Sequence, residues 1–175
     1  MGSRGIAGSR SGGPGTLGIR GFMTGVLQPF ISTMAGTLDG KGRVCIPATY
    51  RQILAAQNTT GVYVCPSFHE DALECFGDDV LQFFHQQQAA LDPFFTATHD
   101  DKSFAVLSNT QLRTADENGR VRLPEDFIAH AGLKERVNFV GLGRKFQIWD
   151  VARFAALRAE KLARARALRD EGSGV

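Results

Sequence analysis

Apolar positions in this chain alternate over short runs, then switch to helical spacing, and the switches outline its elements. Gln28–Thr33 reads as an extended run that continues through Thr37 and Leu38 to a turn. Val44 and Ile46 then alternate as a half-buried strand. After Pro47 the period lengthens, and Tyr50, Ile53 and Leu54 fall on one helical face. Val62–Cys65 and Ala72–Phe76 predict a hairpin around Ser67–Asp71. Val80–Phe84 opens another helix, running towards Leu91 before Pro93. The same order then returns. Phe104–Leu107 and Thr110–Arg113 predict strands leading to a second turn, and Val121 and Leu123 alternate after it. Phe127, Ile128 and Ala131 share a helical face that Gly132 is placed to stop. Val137–Val140 and Lys145–Trp149 predict a second hairpin around Gly141–Arg144. Asp150 is placed to cap a last helix, from about Val151 to Arg169, with a narrow stripe of Val151, Phe154, Leu157 and Leu168. Short strands mixed with short helices predict an α+β fold.

The two turns share a nine-residue pattern, Asp-x-x-Gly-Arg-x-x-[Ile/Leu]-Pro. It runs from Asp39 to Pro47 and again from Asp116 to Pro124, 77 residues on. Such self-similarity points to two copies of one small unit. Gly42 and Gly119 supply positive φ for a tight turn, and Asn118-Gly119 is a strong hairpin signal. Asp39 and Asp116 are placed to accept backbone N–H groups inside the turn. The prolines end a strand and suit the start of a helix.

Arg43 and Arg120 are the residues whose role folding leaves most open. One reading is a brace to the aspartate of the same turn. The other is contact with phosphate or a guanine edge, for which the guanidinium fork is well shaped. The two are compatible. Lys41, Arg51, Arg113 and Arg122 extend the positive patch around them.

Charge narrows the partners. The net charge is +2, but Arg4, Arg10 and Arg20 lie in an acid-free stretch, residues 1–33, so the remainder carries −1. Any nucleic-acid site is therefore a focused patch, not a global field. Glu70–Asp101 holds eight acids and no Lys or Arg, so such binding is one-sided. Three cysteines without CxxC spacing fit a reduced interior, and the four histidines show no ligand pairing. No metal or cofactor is expected. Cys45 is expected to pack as a small residue in the core, in preference to acting as a redox sensor, and Trp149 to anchor the core or a subunit interface. Residues 1–25 read as a Gly/Ser/Arg-rich disordered leader, with Met23 or a nearby codon as the expected natural start.

The paired motifs, over roughly Gln28 to Arg169, resemble the MraZ family of bacterial transcriptional regulators, tandem members of the SpoVT/AbrB-like superfamily. The resemblance implies two swapped-hairpin repeats forming a β-barrel-like core with flanking helices. On that reading the chain divides into the leader 1–25, a first repeat 28–77, an acidic helical connector 78–102, a second repeat 103–150, and a C-terminal helix and tail 151–175. It also implies a ring-shaped homo-oligomer that binds double-stranded DNA at direct repeats in its own promoter. That promoter would drive a division and cell wall gene cluster, placing the protein in the cytoplasm and on the nucleoid, not in a membrane. The family's Asp-x-x-x-Arg element falls on Asp39/Arg43 and Asp116/Arg120.

Two alternatives stand beside an autorepressor. One is an antitoxin-like or scaffold module in which the final helix binds a protein partner. The other is an enzyme, which the sequence disfavours: no Gly-x-Ser-x-Gly, His-Glu-x-x-His or P-loop pattern is present, and Gly141–Arg144 suits a hairpin turn better than a dinucleotide loop.

Overall fold

The computed structural model describes residues 28–88, 101, 104 and 106–172. The leader 1–25, the run of the connector helix towards Leu91, Ala105 and the tail 173–175 lie outside the described residues. The strands are β1 (Thr33–Thr37), β2 (Arg43–Cys45), β3 (Gly61–Pro66), β4 (Leu73–Phe76), β5 (Gln111–Thr114), β6 (Arg120–Arg122), β7 (Arg136–Gly141) and β8 (Lys145–Asp150). The helices are α1 (Ala48–Ala56), α2 (Asp78–Gln88), α3 (Glu125–Ala131) and α4 (Val151–Gly172).

Two predicted strands are displaced. Regular pairing at the first edge begins at Thr33, after a kink at Ser32, whose φ is 75°. Only Phe30 of the earlier run bridges the sheet, at Gly143, and its ring enters the core. The Tyr50 hydroxyl, oriented towards the carbonyls of Ile31 (2.8 Å) and Ser32 (3.0 Å), holds the kink. The strand predicted at Phe104–Leu107 is not formed: Phe104, Val106 and Leu107 are helical. The Thr110 hydroxyl donates to the Val106 carbonyl (2.6 Å) and the Ser108 amide to that of Phe104 (3.3 Å). Such local bonds offer the backbone an alternative to a ladder, so β5 starts only at Gln111.

The sheet is antiparallel, in the order β1-β7-β8-β4-β3-β5. Its pairings interleave the two halves of the sequence: β1 lies on β7, β5 on β3, and β4 meets β8 between them. β2 and β6 form a separate two-stranded ribbon, joined to the sheet's edge strands by single bridges, Leu38–Val44 and Ala115–Val121. The ladders do not close into the barrel that the resemblance implied. Each motif's tight turn sends the chain off the sheet edge after one bridge, so the edges hand over to the ribbon instead of pairing with each other.

One core serves both halves. Val44, Ile46, Tyr50 and Leu54 pack with Val121, Leu123, Phe127 and Leu133. At its centre the Phe146 ring lies 5.1 Å from Phe30, 4.9 Å from Tyr50 and 6.3 Å from Phe139. A satellite cluster of Ala72, Val140 and Trp149 seats Phe154 and Leu157 of α4. Asp150 caps that helix, its Oδ1 accepting from the amides of Ala152 (3.0 Å) and Arg153 (3.2 Å). Leu168, at the far end of the same narrow stripe, is exposed, as are all of residues 158–169.

Because Phe146 joins rings from both halves, Phe146→Ala is expected to cost about 3–5 kcal/mol. The loss should appear as one cooperative transition, coincident by Trp149 fluorescence and far-UV circular dichroism in a urea titration. Two separated transitions would show that the halves do not share a core.

Candidate nucleic-acid interface

The two motifs build matching turns. In the first, Asp39 Oδ1 accepts from the amides of Lys41 and Arg43, each at 2.9 Å, and the Gly42 amide donates to the Asp39 carbonyl (2.9 Å). In the second, Asp116 Oδ1 accepts from Asn118 and Arg120, each at 2.9 Å, and the Gly119 amide donates to the Asp116 carbonyl (2.8 Å). Gly42 and Gly119 take φ of 71° and 73°, a region that a Cβ makes costly. The second carboxylate oxygen in each turn holds the arginine. Asp39 Oδ2 meets Arg43 Nε at 2.8 Å and Nη2 at 2.7 Å. Asp116 Oδ2 meets Arg120 Nε at 3.0 Å, with Arg43 Nη1 at 3.9 Å.

These bonds act on the acids. The Arg43 side chain, then its amide, hold the Asp39 carboxyl down at about 2. Asp116 is lowered too, chiefly by the Arg120 amide. A carboxylate lowered in the folded state stabilises fully above its unfolded pKa, and that contribution is lost as pH falls through the folded value. The braces are therefore intact at neutral pH and released only in acid.

The ribbon aims the arginines. Val44 and Val121 face each other and are buried, so Arg43, Cys45, Arg120 and Arg122 lie on the outer face. Arg43 stands opposite Arg122, and Cys45 opposite Arg120. The Arg113 Nε donates to the Arg122 carbonyl (2.9 Å), and Lys41 and Arg122 line a concavity beside the first turn with Glu125 and Ile128. Arg51 lies over Gly119: a Cβ added there would run into its guanidinium. All six predicted cations thus belong to the ribbon or its margins.

Cys45 is a correction. It is exposed on the outer face, not packed in the core. Cys65 and Cys75 are the buried thiols, and burial pushes Cys65 up to about 11 and raises Cys75 as well. The alternation that turns Val44 and Ile46 inward already places position 45 beside the arginines, and that signal was available in the sequence. The Arg51–Gly119 stacking and the reach of Arg43 to Asp116 carry no such signal, because they cross between motifs.

The geometry defines an α+β protein that presents a duplicated, carboxylate-braced arginine ribbon. Comparison with known proteins gives its family. The model of the family described as "MraZ protein, putative antitoxin-like" matches residues 106–170. The chain is 38% identical over 145 residues to the Transcriptional regulator MraZ of Beijerinckia indica, covering 83% of this chain and 88% of that one. It is 39% identical over 149 residues to that of Azorhizobium caulinodans (85% and 94%) and 36% over 151 residues to that of Rhodospirillum rubrum (86% and 96%). The chain belongs to the MraZ family, a family of transcriptional regulators and not of enzymes. Among the described residues, no helix is long and apolar enough to cross a membrane.

Two measurements check the turns. Gly42→Ala and Gly119→Ala are each expected to destabilise by about 1–2 kcal/mol, while Gly40→Ala, whose methyl would meet nothing, stays within about 0.5 kcal/mol. Equal effects at all three positions, by denaturant midpoint, would remove the strain argument. In a carboxyl-carbon NMR titration, Asp39 should still be ionised at about pH 3, and in Arg43→Ala its midpoint should rise, the amides of residues 41 and 43 keeping part of the shift. An unchanged midpoint in the variant would place the cause elsewhere.

Proposed function

We propose that this protein is a sequence-specific DNA-binding regulator whose contact surface is the outer face of the β2–β6 ribbon. The observation that carries this reading is the pairing of braced arginines with a single buried valine layer beneath them. A brace takes only part of a guanidinium, which has five N–H donors. Asp39 engages Nε and Nη2 of Arg43, and Nη1, 3.9 Å from the Asp116 carboxylate, keeps N–H donors that can meet a phosphate or the O6/N7 edge of guanine. A two-stranded ribbon also fits the major groove. Holding the arginines in place beforehand reduces the ordering cost of binding.

The relatives' name supports regulation, and the rest follows the family resemblance. The protein binds direct repeats in the promoter of its own division and cell wall cluster, as a repressor acting in the cytoplasm and on the nucleoid. Its interleaved pairings fit two swapped-hairpin repeats, with 28–77 and 103–150 as the units and 78–102 as their connector. A ribbon with few cations gives modest, salt-sensitive binding alone. Copies held in a ring engage tandem repeats together, with a gain of roughly 10²–10⁴ from effective concentration.

A second reading has its own observation. Beyond Leu157, α4 is held to the body by the Lys161–Glu70 ion pair, and Leu162 and Leu168 are exposed along it, which suits a partner in the antitoxin style. Co-purification of an unrelated protein with the full chain, lost in Leu162→Glu/Leu168→Glu, would favour it.

The test of the regulator reading is fluorescence anisotropy with DNA from immediately upstream of the gene, a scrambled duplex and a salt series. Arg43→Ala is expected to lose about tenfold or more in affinity and Arg120→Ala to lose affinity as well, each with the oligomer intact. Equal binding to both duplexes by the wild type would overturn specific recognition.

A further inference from the structure

The two motifs make the ribbon nearly two-fold symmetric, with Val44 opposite Val121 at the centre. Equivalent positions can therefore be compared directly, and several of them differ in charge. Counting from the motif's aspartate, Arg122 of the second copy corresponds to Cys45 of the first. Arg113 corresponds to Gly36, three residues before each aspartate. Lys41 corresponds to Asn118. Pairing then sorts these differences to one end. Arg122 stands opposite Arg43, beside the first turn, and lines a concavity with Lys41. Arg113 joins them through its bond to the Arg122 carbonyl. The other end has neutral Cys45 opposite Arg120, and its turn carries acidic Glu117. Arg51, lying over Gly119, joins Arg120 there. Its equivalent over Gly42 is Ile128, whose Cδ1 an added Cβ would meet at 3.2 Å. Glu125 offsets part of the charge at the first end, which still holds four cations, Lys41, Arg43, Arg113 and Arg122, to the second end's two, Arg51 and Arg120.

We propose that this unequal charge makes the ribbon a directional reader: the first-turn end, built from Lys41 and Arg43 of one copy and Arg113 and Arg122 of the other, anchors each protomer on DNA, and the second-turn end is auxiliary. The inference rests on the DNA-binding reading above and deepens it. Its physical basis is that operator symmetry mirrors protein symmetry. A ribbon with equal ends would accept a DNA element equally well in either orientation. A ribbon with a strong and a weak end fixes one orientation. Repeated copies of such a reader, all facing the same way, match elements repeated head to tail and reject inverted ones. Cys45 is then the specificity-determining position, since it removes from the weak end the cation that Arg122 provides at the strong one.

The test uses the full chain and three duplexes: the upstream DNA, the same DNA with alternate repeats inverted, and a scrambled control. Arg122→Ala and Lys41→Ala should each lower affinity about tenfold and reduce the salt slope by about one. Arg51→Ala should change each by clearly less. Cys45→Arg, at an exposed site, should raise affinity several-fold and narrow the preference for direct over inverted repeats. Equal losses at the two ends, or a Cys45→Arg variant with unchanged affinity and orientation preference, would overturn the directional reading while leaving DNA binding standing. A wild type that does not distinguish the upstream DNA from the scrambled duplex would overturn both. Circular dichroism and size-exclusion profiles matching the wild type are required of each variant, and Cys45→Ser, which adds no charge, should behave as the wild type does.

Discussion

The aspartate at the head of each turn is the group on which the rest of the structure depends. One oxygen of Asp39 gathers two amides, which closes the turn. The other clamps the arginine that ends the same turn. Asp116 does the same in the second copy. Without that carboxylate, a chain leaving a sheet edge at Leu38 or Ala115 would have two unpaired N–H groups and an unheld guanidinium. A neutral acceptor could gather the amides, but it would not fix the arginine with equal strength, because charge-assisted bonds are about twice as strong as neutral ones. The depressed pKa of Asp39 reflects this double role.

The turns in turn set the topology. Because each takes its chain off the sheet after one bridge, β2 and β6 have no sheet neighbour to pair with except each other. Their pairing brings the two halves together at Val44 and Val121, over a core to which both halves contribute. The prolines that end the motifs then start α1 and α3, and these helices reach back across to the turns: Arg51 of the first half covers Gly119, and Ile128 of the second covers Gly42. Local turn chemistry and long-range packing thus support one another, as expected of a sequence with little frustration.

Much of this was legible in the sequence because it is encoded locally. Glycine after two turn residues, alternation across Val44 and Ile46, and proline before an apolar helical face each act within a few residues, and the two motifs, α1, α3 and both long hairpins follow them. What was not legible depends on distant partners. The kink at Ser32 needs the Tyr50 hydroxyl, 18 residues away. The helical turn at Val106 beats a β-compatible run through bonds from the Thr110 hydroxyl and the Ser108 amide. The open sheet is likewise a matter of where strands leave an edge, which no local pattern states. At the site, the six cations were readable as a set, but their division between two ends was not, because Arg113 and Arg122 belong to the second motif and lie beside the first turn. Cys45 is the instructive case: the strand period placed it outside, and the general tendency of free cysteine to be buried was the weaker guide.

The placement of acids beside the proposed contact surface has a physical logic. Asp39 and Asp116 cancel part of the charge of Arg43 and Arg120, which lowers the non-specific attraction to any phosphate backbone. What they leave is direction: the carboxylates hold Arg43 through Nε and Nη2 and Arg120 through Nε, with N–H donors to spare on each. Phosphate attraction is shared by all DNA and falls steeply with salt, whereas a bidentate contact to a base edge depends on angle. A weakly charged ribbon of pre-oriented arginines thus gives up affinity that carries no sequence information and keeps the part that does. The lost affinity is of the kind that several linked copies restore through effective concentration without new contacts. On the proposed function, modest net charge, braced arginines and repeated DNA elements would be one design, in which the single ribbon discriminates and an assembly of copies supplies the strength.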